Sequence, residues 1–79
     1  MIPYGREARS AKSGVVAYAL HDDAIDIEFA NGEVYRYDAS APGAVDVELM
    51  KRFARAGRGL ATYISKYVKD RYAAKLDAD

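Results

Sequence analysis

The chain has no cysteine, a single histidine and no long apolar run, and each shortage closes off a class of function. Without cysteine there is no disulfide, no thiolate metal site and no thiol nucleophile. The one histidine, His21, sits in an acidic turn beside Asp22 and Asp23. No serine lies at a spacing that pairs with it, so nucleophilic and acid–base chemistry have little to use. One imidazole and two carboxylates in a hairpin turn hold a divalent metal weakly at best, and such a group is more often just a turn. The longest apolar run, Val15 to Leu20, falls far short of the roughly 20 residues a membrane helix needs. Residues 1–13 carry Arg6, Arg9 and Lys12 with no apolar segment of signal-peptide length behind them. The expectation is a cytoplasmic protein that is not an enzyme, with no cofactor, no metal and no membrane partner.

What remains is enough for one domain. A chain of 79 residues buries only about 60% of its unfolded surface, so nearly every large apolar side chain is needed for the core. Apolar residues at 51% and charged residues at 30% are the proportions of a globular chain rather than a disordered one.

The net charge of zero hides a segregation. Residues 21–50 hold eight acids against the single base Arg36, a net of −7. Residues 51–75 hold eight bases against the single acid Asp70, a net of +7. Such asymmetry points to a charged partner, or to a basic helical half complementing an acidic sheet half within the fold or between copies. The near-neutral pI favours the second reading, because nucleic-acid-binding domains are usually strongly basic overall.

Residues 1–12 show no period and read as a flexible N-terminal tail. Gly14 opens a strand over Val15 to Leu20, and residues 24–29 alternate, with Ile25, Ile27 and Phe29 on one face and Asp26 and Glu28 on the other. Asn31–Gly32 marks a hairpin, followed by a third strand over residues 33–38. A two-residue loop there places Tyr35 opposite Glu28, on the acidic face. A three-residue loop, with Gly32 as the bulge residue, pairs Phe29 with Glu33 and sets Tyr35 beside Ile27 and Tyr37 beside Ile25. The second register is preferred, because it buries two rings rather than Arg36 and Asp38.

A helix follows, capped either by Ser40, with Pro42 in its first turn, or by Asp46. Its apolar stripe reads Val45, Leu49, Phe53 and Ala56, flanked by Met50, with Glu48, Lys51 and Arg55 facing away. Gly57 and Gly59 stop it. A second helix carries Leu60, Tyr63, Ile64, Tyr67, Val68 and Tyr72 at three- and four-residue steps. The expected architecture is α+β: a three-stranded antiparallel meander followed by two helices on one face, spanning residues 13–74, with a C-terminal tail at 75–79.

The order and spacing of several short motifs carry a resemblance. They are Ser13 ahead of the first strand, Phe29–x–Asn31–Gly32–x–Val34–Tyr35–x–Tyr37 in the hairpin, and Ala41–Pro42 before the helix. Then comes the block Ala56–Gly57–Arg58–Gly59–Leu60–x–x–Tyr63–Ile64, with Val68 and Tyr72 after it. Over residues 13–72 the sequence resembles the KTSC domain, found at the C-terminus of some lysyl-tRNA synthetases and as small free-standing bacterial proteins. It departs in having His21 where the family often has a tyrosine, and in a slightly longer first helix. The resemblance implies a small binding domain, for which the synthetase attachment suggests RNA.

Two constellations suit such a partner. Tyr35–Arg36–Tyr37 offers two rings and a cation to unstacked bases, although the bulged register makes both tyrosines core or edge residues and leaves Arg36 among carboxylates. Gly57–Arg58–Gly59 ahead of a helix offers backbone N–H groups and a guanidinium to a phosphate, with Lys51, Arg55, Lys66 and Lys69 widening the patch. The same glycines also serve as a plain helix stop. The alternative to RNA is a protein partner or a second copy docking on the uncovered sheet face or edge.

Overall fold

The computed structural model describes residues 1–4 and 14–76. The elements are β1 (Ile2–Pro3), β2 (Val15–Leu20), β3 (Ala24–Phe29), β4 (Val34–Asp38), α1 (Ala44–Ala56), α2 (Leu60–Tyr63) and β5 (Ala74–Leu76). A π-helical segment, Ile64–Val68, continues α2 without a break. The strands form one antiparallel sheet in the order β1-β2-β3-β4-β5. The expected meander is its centre, but the sheet has five strands rather than three.

The first added strand, at residues 2–3, comes from the expected N-terminal tail, and the other, at 74–76, straddles the expected boundary between domain and C-terminal tail. Neither is long enough to show a period, so burial alternation could not announce them. β1 reaches β2 beside a bulge: the register shifts between Val15 and Ala17, and the carbonyl of Val16 accepts the Tyr4 N–H at 3.0 Å. Of the expected tails, residues 5–12 and 77–79 lie outside the described residues.

The β3–β4 hairpin adopts the three-residue loop. Phe29 N–H donates to the Glu33 carbonyl at 2.9 Å, Ile27 pairs with Tyr35, and Ile25 pairs with Tyr37. Gly32 at φ 89° is the left-handed residue that this loop requires.

At the entry to α1 neither expected cap is used. Ser40 turns back on Asp38, its N–H and hydroxyl donating to Asp38 Oδ1 at 2.9 and 2.6 Å. This rounds the corner, and α1 starts later, from Gly43. The phase of α1 also differs from the expected stripe. Val47, Met50, Lys51 and Ala54 are buried, whereas Val45 is 76% exposed and Ala56 is exposed. The helix carries two apolar stripes, and the sheet takes the one containing Met50.

The π segment sets the rest of the C-terminal half. Its wider turn lines up residues four apart, so Leu60, Ile64 and Val68 all point inward. Lys69, at φ 54°, ends it. Tyr72, expected in the helical stripe, leaves the helix and lies over Tyr35, with ring centres 4.4 Å apart. The core joins Val15, Tyr18, Ile25, Ile27 and Tyr37 of the sheet to Val47, Met50 and Ala54 of α1 and to Leu60, Ile64 and Val68. Both helical elements therefore cover one face. Among the described residues no helix is long and apolar enough to cross a membrane.

Candidate nucleic-acid interface

The sheet motif does not present itself to a ligand. Tyr37 is 1% exposed, and burial pushes its phenol well above the ordinary tyrosine range. Tyr35 is half-buried between Phe29, whose ring meets it edge-on at 5.7 Å, and Tyr72. Its hydroxyl donates to Glu33 Oε1 at 2.7 Å, and this bond, with desolvation, raises its pKa. Arg36 is held by Asp26 through Nε to Oδ1 at 2.7 Å and Nη2 to Oδ2 at 3.0 Å. Two of the three side chains are spent in packing and the third in an ion pair.

The glycine junction is largely spent as well. Gly57, at φ 76°, caps α1, its N–H donating to the carbonyls of Phe53 and Ala54, and the Arg58 N–H also reaches Phe53. The Leu60 N–H, buried, donates to the Tyr4 hydroxyl at 2.9 Å. Three of the expected free amides, those of Gly57, Arg58 and Leu60, are thus taken up by the αα connection and by Tyr4, a residue assigned from sequence to a tail. Gly59 has no room for a side chain, since a Cβ there would stand 2.9 Å from the Phe53 ring. Arg58 itself is exposed and makes no ion pair with the described carboxylates.

The expected cation patch divides into three parts. Lys51 leaves it entirely: 4% exposed, its ammonium donates to the His21 and Asp22 carbonyls at 2.6 and 2.9 Å and closes the β2–β3 turn. A turn offering two inward carbonyls at one point accounts for a buried lysine. Arg55 is exposed, but on the α1 flank that carries Glu48. At about 100° per residue this is the opposite flank from Phe53 and Asp46, which meet α2. Lys66, in the π-helical segment, and Lys69, at its end, are both exposed.

Between them in sequence lies Tyr67, 61% exposed, which the sequence reading had assigned to a buried stripe. It ends a ladder of rings, Phe53 to Tyr63 at 5.3 Å and Tyr63 to Tyr67 at 5.2 Å. The ladder is held from below. The Tyr63 hydroxyl donates to Asp46 Oδ1, and that bond, with desolvation, pushes its pKa up to about 12. Arg71 bridges the same region, 3.6 Å from Asp46 and donating to the Tyr67 carbonyl. The result is a fixed ring with an open face, two ammonium groups beside it in sequence, and Arg58 at the far end of α2. The four-residue step from Tyr63 to Tyr67 was the available signal, and reading both as core concealed it.

His21 of the acidic turn is held by β3, its Nε2 2.9 Å from Asp26 Oδ2. No family model matches the chain, and neither a curated protein nor a solved structure does.

Proposed function

We propose that the chain is a non-catalytic binding module of the KTSC kind that takes RNA on the outer side of its C-terminal helical segment. Arg58, Lys66 and Lys69 meet backbone phosphates, and an unpaired base stacks on the exposed face of Tyr67. One observation carries this reading: the most exposed aromatic ring of the domain lies in sequence between two exposed lysines that no described carboxylate neutralises. A solvated lysine pair alone is ordinary surface. A ring pre-positioned by stacking beneath it is what single-strand recognition adds to such a surface, at about 1–3 kcal/mol per base. A tRNA, whose loops present unstacked bases, is the natural probe.

Three phosphate contacts give log K against log salt a slope of about −2 to −3. Titration into labelled tRNA at low and moderate salt measures it. Tyr67→Ala should weaken binding about 10-fold or more with the slope unchanged, and Lys66→Ala should reduce the slope by about 1. No binding at low salt, or binding indifferent to salt, overturns the reading.

A further inference from the structure

The second apolar stripe of α1 points away from the core and has no partner among the described residues. Val45, Leu49 and Ala56, with the aliphatic stem of Arg52, follow one another at steps of four, three and four residues. This is the alternating spacing of a two-helix seam. Ala44, Val45, Glu48, Leu49 and Arg52 line a shallow groove of about 340 Å³ along this face. Glu48 and Arg55 lie seven positions apart, so both border the seam on the same side. The Glu48 side chain is 64% exposed, and its one ion pair among the described residues is with the Lys51 ammonium, at 3.6 Å. Arg52 and Arg55 pair with no described carboxylate.

We infer that this face of α1 docks on the same face of a second copy, antiparallel across a twofold axis near residue 51. That axis sets Val45 against Ala56 of the second copy and Leu49 against Arg52 of the second copy. It also brings Glu48 to Arg55 of the second copy, and the symmetry makes each ion pair twice. The charges choose both the occupant and the direction. A parallel pair stacks Arg52 on Arg52 and leaves Glu48 with no basic partner, while the antiparallel pair resolves both. The outer stripe is as regular as the inner one because a helix apolar on both sides is one buried on both sides. The seam is only 13 residues long, below the size of a stable interface, so association is weak, with a dissociation constant on the order of 100 µM. It uses none of Arg58, Lys66, Tyr67 and Lys69, so its test is separate from that of the RNA reading.

Sedimentation of the whole chain over about a hundredfold concentration range tests it. The unmodified protein should pass from monomer to dimer. Val45→Asp, at a position outside the core, should stay monomeric with unchanged circular dichroism. Glu48→Arg and Arg55→Glu should each weaken self-association about 10-fold. Mixing those two variants should restore it, because both ion pairs then re-form between unlike chains. A monomer throughout, a dimer indifferent to Glu48→Arg, or a mixture no tighter than its components overturns the inference. So does a monomer in which the amides of residues 45–56 shift only when RNA is added, which would give this face to nucleic acid.

Discussion

Arg36 and Asp26 face each other across β3 and β4 and lock those strands with two parallel hydrogen bonds, at 2.7 and 3.0 Å. His21 adds a third contact to the same carboxylate at 2.9 Å. Asp26 is 5% exposed, so burial opposes its ionisation. The hydrogen bonds and charges of Arg36 and His21 outweigh that and hold the carboxyl below its ordinary value of 3.8.

A depressed folded-state pKa has a defined sign. The stabilisation is complete above the unfolded-state value and is lost as pH falls through the folded-state value. Thermal midpoints measured downward from about pH 5 should therefore fall, and Asp26→Asn should flatten part of that decline. Glu33, whose pKa is lowered first by its bond to Lys75, and Asp38, lowered first by Ser40, maintain the rest of it. At neutral pH the variant should lose about 1–3 kcal/mol, because a hydrogen-bonded charge is replaced by a weaker acceptor. An acid limb identical in the two proteins would contradict this.

Lys51 provides a separation between stability and binding. Lys51→Met keeps the buried stem but leaves the His21 and Asp22 carbonyls without their donor. Water replaces part of the lost bonding at this exposed turn, so the expected cost is about 1 kcal/mol in denaturant unfolding. Affinity for tRNA should be unchanged, since the ammonium never reaches the surface. A fall in affinity at constant fold would return Lys51 to the anion site.

Tyr4→Phe isolates one hydrogen bond. The ring keeps its edge-on contact with Tyr18, 6.5 Å between centres, and only the hydroxyl under Leu60 is lost. The Leu60 N–H then has no acceptor in a fully buried position, at a cost of about 1–3 kcal/mol. Hydrogen exchange at the Leu60 amide should accelerate more than exchange in the centre of β3. Equal acceleration everywhere would mean that the hydroxyl contributes only to global stability.

These contacts also mark where the sequence stops being readable. The hairpin register was legible because Gly32, the alternation of Ile25, Ile27 and Phe29, and the cost of burying Arg36 all point one way. α1 was misread because Val45, Leu49, Phe53 and Ala56 form as good a helical stripe as Val47, Met50 and Ala54. Nothing local says which one the sheet takes, and a lysine amid the true stripe disguised it. The edge strands were invisible for lack of length. Tyr4 and Tyr67 were misplaced in opposite senses, the one read as tail and found buried, the other read as core and found exposed. In both cases the deciding partners, Leu60 for the first and the π-helical turn for the second, are tertiary or conformational and leave no period in the chain.

Lys69 brings backbone strain and the proposed site onto one residue. Its φ of 54° with ψ of −123° is a conformation that suits glycine and costs a residue with a Cβ about 1–3 kcal/mol. Lys69→Gly and Lys69→Ala remove the same ammonium and differ only in whether the strain stays. Lys69→Gly should therefore unfold later than Lys69→Ala, by about 1 kcal/mol after the entropy of a glycine in the unfolded chain is subtracted. Both should shallow the salt dependence of tRNA binding by the same amount, about 1 in the slope. Strain retained where a glycine would relieve it is the pattern of a side chain kept for its charge. Two variants of equal stability would show that the φ angle carries no cost. Two variants with the salt slope of the unmodified chain would show that the lysine meets no phosphate.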